Sequence, residues 1–271
     1  MLRAPRSETL NTAGVGRVNL TNKPLVEAIF QLRWTLPDGP PPETVDPHYK
    51  LLIGRLYDRL VEDYPFHEPL PAAQVPESIA GYLVQHRFRK GAGEWPLVQL
   101  GPGITTLNDT EGYEWEDFER RVAALVNGLF DVYPEAEEVL QVNRLLLRYI
   151  DAIPFNFAED DIFAFLGDKL KTRISLYERL FEDRRVEQLP DSLDIRFSFS
   201  CSAPKGVLNL RFTRGEAKGS ECVVWETMVE SGAEDAPGGT AGITEWLQLA
   251  HSLTHDWFFK LIEGELLEVF L

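Results

Sequence analysis

The chain has little of what usually marks a protein's class. Two cysteines in 271 residues exclude a disulfide framework, the device of small secreted domains that cannot bury enough core. Basic residues are in deficit, with 27 Lys+Arg against 43 Asp+Glu and a formal charge of −16. That balance excludes a general nucleic-acid coat or a binder of anionic membranes, since both depend on surplus positive charge. No apolar run approaches the roughly 18 residues of a membrane span. Residues 1–17, MLRAPRSETLNTAGVGR, have basic residues but no apolar stretch after them, so they do not read as a secretory signal. There is neither a G-x-S-x-G elbow nor a G-x-x-x-x-G-K-S/T loop, the marks of a hydrolase nucleophile and of a phosphate cradle. The expectation is a cytoplasmic protein without a bound cofactor.

What is present is an ordinary globular composition, 44% hydrophobic and 26% charged. A chain of this length buries about three quarters of its extended surface and needs no metal to fold. Val26, Ala28, Phe30, Leu32 and Trp34 alternate with polar residues, the period of a half-buried strand. Asp46-Pro47 then suits a helix start, because Asp caps orphan amides and Pro fits the first helical position. Tyr49, Ile53, Leu56, Leu60 and Tyr64 follow at helical spacing, and a proline-rich loop runs from Pro65 to Pro76. Strands are expected over YLVQHRFRK, WPLVQL and ITTLN, the last two joined by a Gly101-Pro102-Gly103 turn. Trp115, Phe118, Val122, Leu125 and Leu129 mark an amphipathic helix ending before Pro134.

After the acidic joint PEAEEV the pattern begins again. Val142–Ile153 reads as a strand, Asp160–Lys171 as a helix, and Ser175 with Glu178 as the capping box of a shorter helix. Three strands, SLDIRFSFSCS, GVLNLRFTR and ECVVWETMV, precede a final helix over Ile243–Glu263. Cys201 and Cys222 sit in two of these strands and read as small buried thiols. The expected fold class is α+β, with mostly antiparallel sheets and helices on one face. Residues 1–21 form an arm, and residues 22–134 and 140–271 form two similar strand-helix-strands-helix subdomains that suggest an internal duplication.

The run Asn22-Lys23-Pro24-Leu25-Val26-Glu27-Ala28-Ile29-Phe30, continued by Gln31-Leu32-Arg33-Trp34, resembles the opening of a sporadically distributed prokaryotic family of about this length. The resemblance extends through Gly101-Pro102-Gly103, Asn108, Tyr113 and Trp115 to His251 and the last helix. It implies no reaction and no catalytic residues. A patchy distribution fits a horizontally moved accessory function, such as a mobile-element or defence component. The order of elements is also similar to TATA-binding-protein-like and helix-grip folds, a likeness of topology alone.

Three sets of residues are candidates for function. Arg33, Arg87, Arg89, Arg148, Arg196 and Arg211 fall on the polar phase of their strands. Guanidinium groups match carboxylates bidentately, so such a face would engage an acidic protein segment, an anionic ligand or a second copy of the chain. The aromatic interleaving of a single-strand nucleic-acid binder is not evident there. His251 and His255, four apart on the last helix, can reach one metal ion, the basis of a metal-dependent hydrolase reading. The position after His251, where a metalloprotease carries its general-base Glu, is Ser252. Finally, Trp34, Trp95, Trp115, Trp225, Trp246 and Trp257 could line the cavity of a small-ligand carrier, although their in-phase positions also suit a core. The leading expectation is a non-catalytic binding protein.

Overall fold

Alternation in the first strand has its predicted consequence. Along β1 (Leu25–Trp34) the residues Ala28, Phe30, Leu32 and Trp34 are fully buried, while those between them are partly exposed. The molecule is a computed structural model describing residues 20–37, 45–110, 112–182 and 185–271. Most of the expected arm, residues 1–19, lies outside the described residues. Further strands are β2 (Phe66–Pro69), β3 (His86–Arg89), β4 (Leu97–Gly101), β5 (Ile104–Asp109), β6 (Val142–Pro154), β7 (Asp194–Ser202), β8 (Lys205–Ala217) and β9 (Ser220–Gly232). The helices are α1 (Tyr49–Leu60), α2 (Trp115–Val132), α3 (Ala136–Val139), α4 (Ile162–Asp168), α5 (Gly239–Leu261) and α6 (Glu265–Phe270).

The fold is α+β, and among the described residues the strands form one nine-stranded antiparallel sheet in the order β2-β3-β4-β5-β1-β6-β9-β8-β7. The two halves of the chain therefore share a single sheet, joined where β1 pairs with β6. Read outward from that seam, each half presents its first strand, then its last, then the strand before it. Helices cover one face. Phe30 lies beside Leu107 on β5 and Leu147 on β6, and all three pack with the apolar sides of α1, α2 and α5. A second cluster gathers α4, α6 and the end of α5 over Phe212, Val223 and Trp225. No helix of the described residues is long and apolar enough to cross a membrane.

Several local expectations are corrected. The proline-rich loop contains β2, which pairs with β3. The strand expected from Tyr82 begins only at His86, because Tyr82 takes the left-handed conformation (φ 62°) and breaks the extended run. The Leu83 carbonyl then crosses so close to Gly101 that a Cβ there would lie 2.1 Å from it. At Gly103, φ is +75° in the tight connection between β4 and β5, which favours glycine. Asp161 caps α4 by accepting from the amides of Phe163 and Ala164, so that helix starts later than expected. The helix expected from Ser175 is replaced by a single 3-10 turn at Glu178–Phe181 that has no side-chain cap. Asp46 accepts only the His48 amide near α1 and spends the rest of its carboxylate on tertiary bonds.

Candidate ligand-binding site

The helix-facing residues of β6 run Leu145, Leu147, Tyr149, Asp151 and Ile153. Two polar groups thus interrupt an apolar stripe. On β9 the matching interruption is Thr227, directly across from Tyr149, between Trp225 and Val229. This polar break falls between the two hydrophobic clusters, and over it lies a cavity of about 560 Å³. That volume lies within the usual range for small-molecule sites, roughly 300–1,000 Å³.

Each wall has a local cause. The start of α2 supplies Tyr113, Glu114 and Trp115, held in place because Lys23 Nζ donates to the Tyr113 carbonyl and to Glu114 Oε1. The second half of α5 supplies His251, Thr254, His255, Phe258 and Phe259, which recur at helical spacing on the side turned toward β6. Leu25, at the start of β1, closes the floor beside Asp151.

The polar groups divide into satisfied and unsatisfied sets. Tyr113 and Tyr149 hydroxyls lie 2.8 Å apart, and the Tyr149 hydroxyl is 3.0 Å from His251 Nδ1. The chain is satisfied when Tyr113 donates to Tyr149 and Tyr149 donates to the imidazole. The His251 ring stacks on Trp115 with centroids 3.6 Å apart and planes 6° from parallel. Burial, with the neighbouring His255, pushes the His251 pKa down to about 3, so the ring is neutral across the physiological range. Burial likewise raises Tyr149 and Tyr113 above the usual tyrosine value, which keeps both as hydroxyls.

Asp151 is different. It is 2% exposed, its Oδ2 has no hydrogen-bond partner among the described residues, and burial raises its pKa to about 8. The Thr227 hydroxyl, 1% exposed, is also without a partner among the described residues. Buried polar atoms are nearly always paired, and an orphan costs about 1–3 kcal/mol. Two orphans on neighbouring strands beneath one cavity mark a place where a ligand or water supplies the missing bonds. The chemistry on offer is hydrogen bonding, charge pairing and aromatic contact. Among the lining residues the Thr254 hydroxyl is committed to the Ala250 and His251 carbonyls, so it is not a poised nucleophile.

The sequence-derived candidates distribute as follows. His251 and His255 do line the cavity, with rings 5.5 Å apart. The described residues contain no group of three or more His, Cys, Asp or Glu placed to hold a metal. Arg33, Arg87, Arg89, Arg148, Arg196 and Arg211 all project from the sheet face opposite the helices, since their sequence neighbours Leu32, Phe88, Leu147 and Phe212 face the core. That face carries its own acids. Arg148 pairs with Glu226 at 2.7 Å, Arg89 with Glu68 at 2.8 Å, and Arg144 with Glu230. Arg211 binds Asp194 through two nitrogens and also Glu226. Of the tryptophans, Trp34, Trp225 and Trp246 are core, Trp95 is exposed beneath Arg89, and Trp115 lines the cavity. Cys222 is buried and Cys201 half-buried, both free.

Sequence reasoning missed Asp151, Tyr149, Tyr113 and Thr227. A signal existed at Asp151, a carboxyl in phase with Leu145 and Leu147 on an otherwise apolar strand face. Comparison with protein-family models and with curated proteins finds no match to this chain.

Proposed function

We propose that the protein binds a small molecule in the cavity between α2, α5 and the β1–β6–β9 floor. The observation that carries this reading is the pair of buried, unpartnered polar atoms, Asp151 Oδ2 and Thr227 Oγ1, beneath a ligand-sized space. The aromatic walls supply apolar contact and the orphans supply orientation, the usual division of labour in such sites. Strand order that repeats outward from the β1–β6 seam supports descent of the two halves from one duplicated unit. On that reading the cavity sits where the second copy's first strand meets the first copy's last helix.

Native mass spectrometry of untagged protein, purified gently at low salt, tests the proposal. Retained mass of an organic ligand is expected in the wild type. Leu25→Trp, which projects an indole into the space beside Asp151, should lose it while remaining folded by circular dichroism. Equal ligand retention in both proteins would place the ligand elsewhere and remove the cavity from the account.

A second reading rests on the open sheet face. Arg33 stands directly opposite Arg144 across the seam, and burial together with Arg144 lowers the Arg33 pKa. An acidic group from outside, carried by a protein segment, an anionic ligand or a second copy, would relieve that like-charge contact. Arg33→Glu should then abolish any self-association seen by sedimentation velocity and any inorganic phosphate binding seen by calorimetry. Unchanged behaviour in both experiments would retire this reading.

A further inference from the structure

We infer that the ligand of this cavity is a small organic cation, a protonated amine on an apolar or aromatic body, with its ammonium group seated on Asp151. The inference rests on the cavity reading and adds the chemical class.

The charges around the space set the sign. Among the described residues three carboxyl side chains line it: Glu114 and Glu116 toward the start of α2, and Asp151 on the floor. Among the described residues the lining cation is Lys23, already bonded to Glu114 Oε1. His251 and His255 carry no compensating charge, because burial lowers both. Tyr113 and Tyr149 remain neutral for the same reason. The positive end of the α2 dipole would favour an anion, but Glu116 and Asp117 in its first turn already answer it. Asp151 holds its proton in the free protein, so an anionic ligand would meet the two acids at the start of α2 with one committed lysine, whereas a cation draws the proton off an unpartnered carboxyl.

The walls agree with that sign. Trp115, Tyr113, Tyr149, Phe258 and Phe259 line the cavity, and aromatic faces attract ammonium groups within about 6 Å of the ring centre. Asp151 also explains why the site would stay closed to metal ions. On the strand ladder it lies between Leu25 on β1 and Trp225 on β9, with Thr227 diagonally across, and none of these is a second acid. An ammonium needs one such acceptor and a hydroxyl, and Thr227 Oγ1 provides the hydroxyl. Because the free protein holds a proton on Asp151 at neutral pH, binding an ammonium there releases that proton into solution.

The test uses three probes of one shape: 2-phenylethylamine, 2-phenylethanol and 3-phenylpropionate, titrated into the full chain by calorimetry at several pH values. The amine is expected to bind about tenfold or more tighter than the alcohol, and the carboxylate not to bind. Amine affinity should rise by up to about tenfold per pH unit until Asp151 is ionised, with proton uptake by the buffer. In Asp151→Asn the preference for amine over alcohol should fall to about twofold or less. Equal binding of amine and alcohol to the wild type, or amine preference that survives in Asp151→Asn, overturns the cation assignment and leaves the cavity reading in place. Failure of every probe, together with equal ligand retention in wild type and Leu25→Trp, overturns both.

Discussion

Asparagine in place of Asp151 is expected to stabilise the protein, and by a margin that grows as the pH rises. The ordinary value for the carboxyl is 3.8, and burial in the native structure raises it to about 8. Between those values the unfolded chain has given up a proton that the native protein still holds. Native stability therefore falls with rising pH across that window, at about 1.4 kcal/mol per pH unit, and the loss is complete above the native value. Asparagine has the same shape and no proton to lose, so its stability lacks that slope. Urea unfolding of both proteins at about pH 5, 6 and 7 should show the variant's advantage widening by about 1.4 kcal/mol at each step. A difference that stays flat would mean that Asp151 ionises in the native state with an internal partner, and the site would lose its orphan carboxyl. Saturating amine should reverse the order near neutral pH, because a ligand that binds only the folded wild type adds to its stability by mass action.

The opposite outcome is expected at Asp46, another buried carboxylate, where alanine should cost about 3–5 kcal/mol. Asp46 is 5% exposed and accepts three bonds: Trp34 Nε1 at 3.0 Å, the Tyr133 hydroxyl at 3.1 Å and the His48 amide at 3.0 Å. It joins the end of β1, the entry to α1 and the residue after α2, and Trp34 packs edge-on against Tyr133 at 5.9 Å. Removing the acceptor leaves two buried donors, each costing about 1–3 kcal/mol, beside a small void. Tyr133→Phe removes one donor together with its bond, so it should cost only about 1 kcal/mol. Equilibrium denaturation monitored by tryptophan fluorescence distinguishes the two. An Asp46→Ala variant within about 1 kcal/mol of wild type would show that solvent reaches the freed donors and that the network contributes little. The contrast between the two aspartates comes from partners and not from burial, which is nearly the same for both.

Much of the architecture was determined by the sequence alone. Period-two alternation specified β1, β6 and the three strands of the second half, because one face of a strand must meet a helical layer and the other need not. Helical spacing from Trp115 specified α2, and the paired order of elements specified α+β with helices on one face. The failures were local. β2 is four residues long, too short for a periodic signal, and Tyr82 entered a left-handed conformation that no propensity of tyrosine announces. The arginine phase was also legible, since all six residues share one sheet face, yet the carboxylates that neutralise several of them come from neighbouring strands whose register that phase does not reveal.

Tertiary structure alone decided the site. A strand's phase shows that Asp151 and Tyr149 face the helices; it does not show that Thr227 lies across from Tyr149 some eighty residues later, or that α5 carries His251 to the Tyr149 hydroxyl. Those meetings depend on β6 lying between β1 and β9 and on α5 packing beside α2 over the sheet. The physical reason is that alternation records only which side of a strand is buried. Whether that side meets close-packed apolar chains or an open, polar-floored space is set by what the rest of the chain places above it.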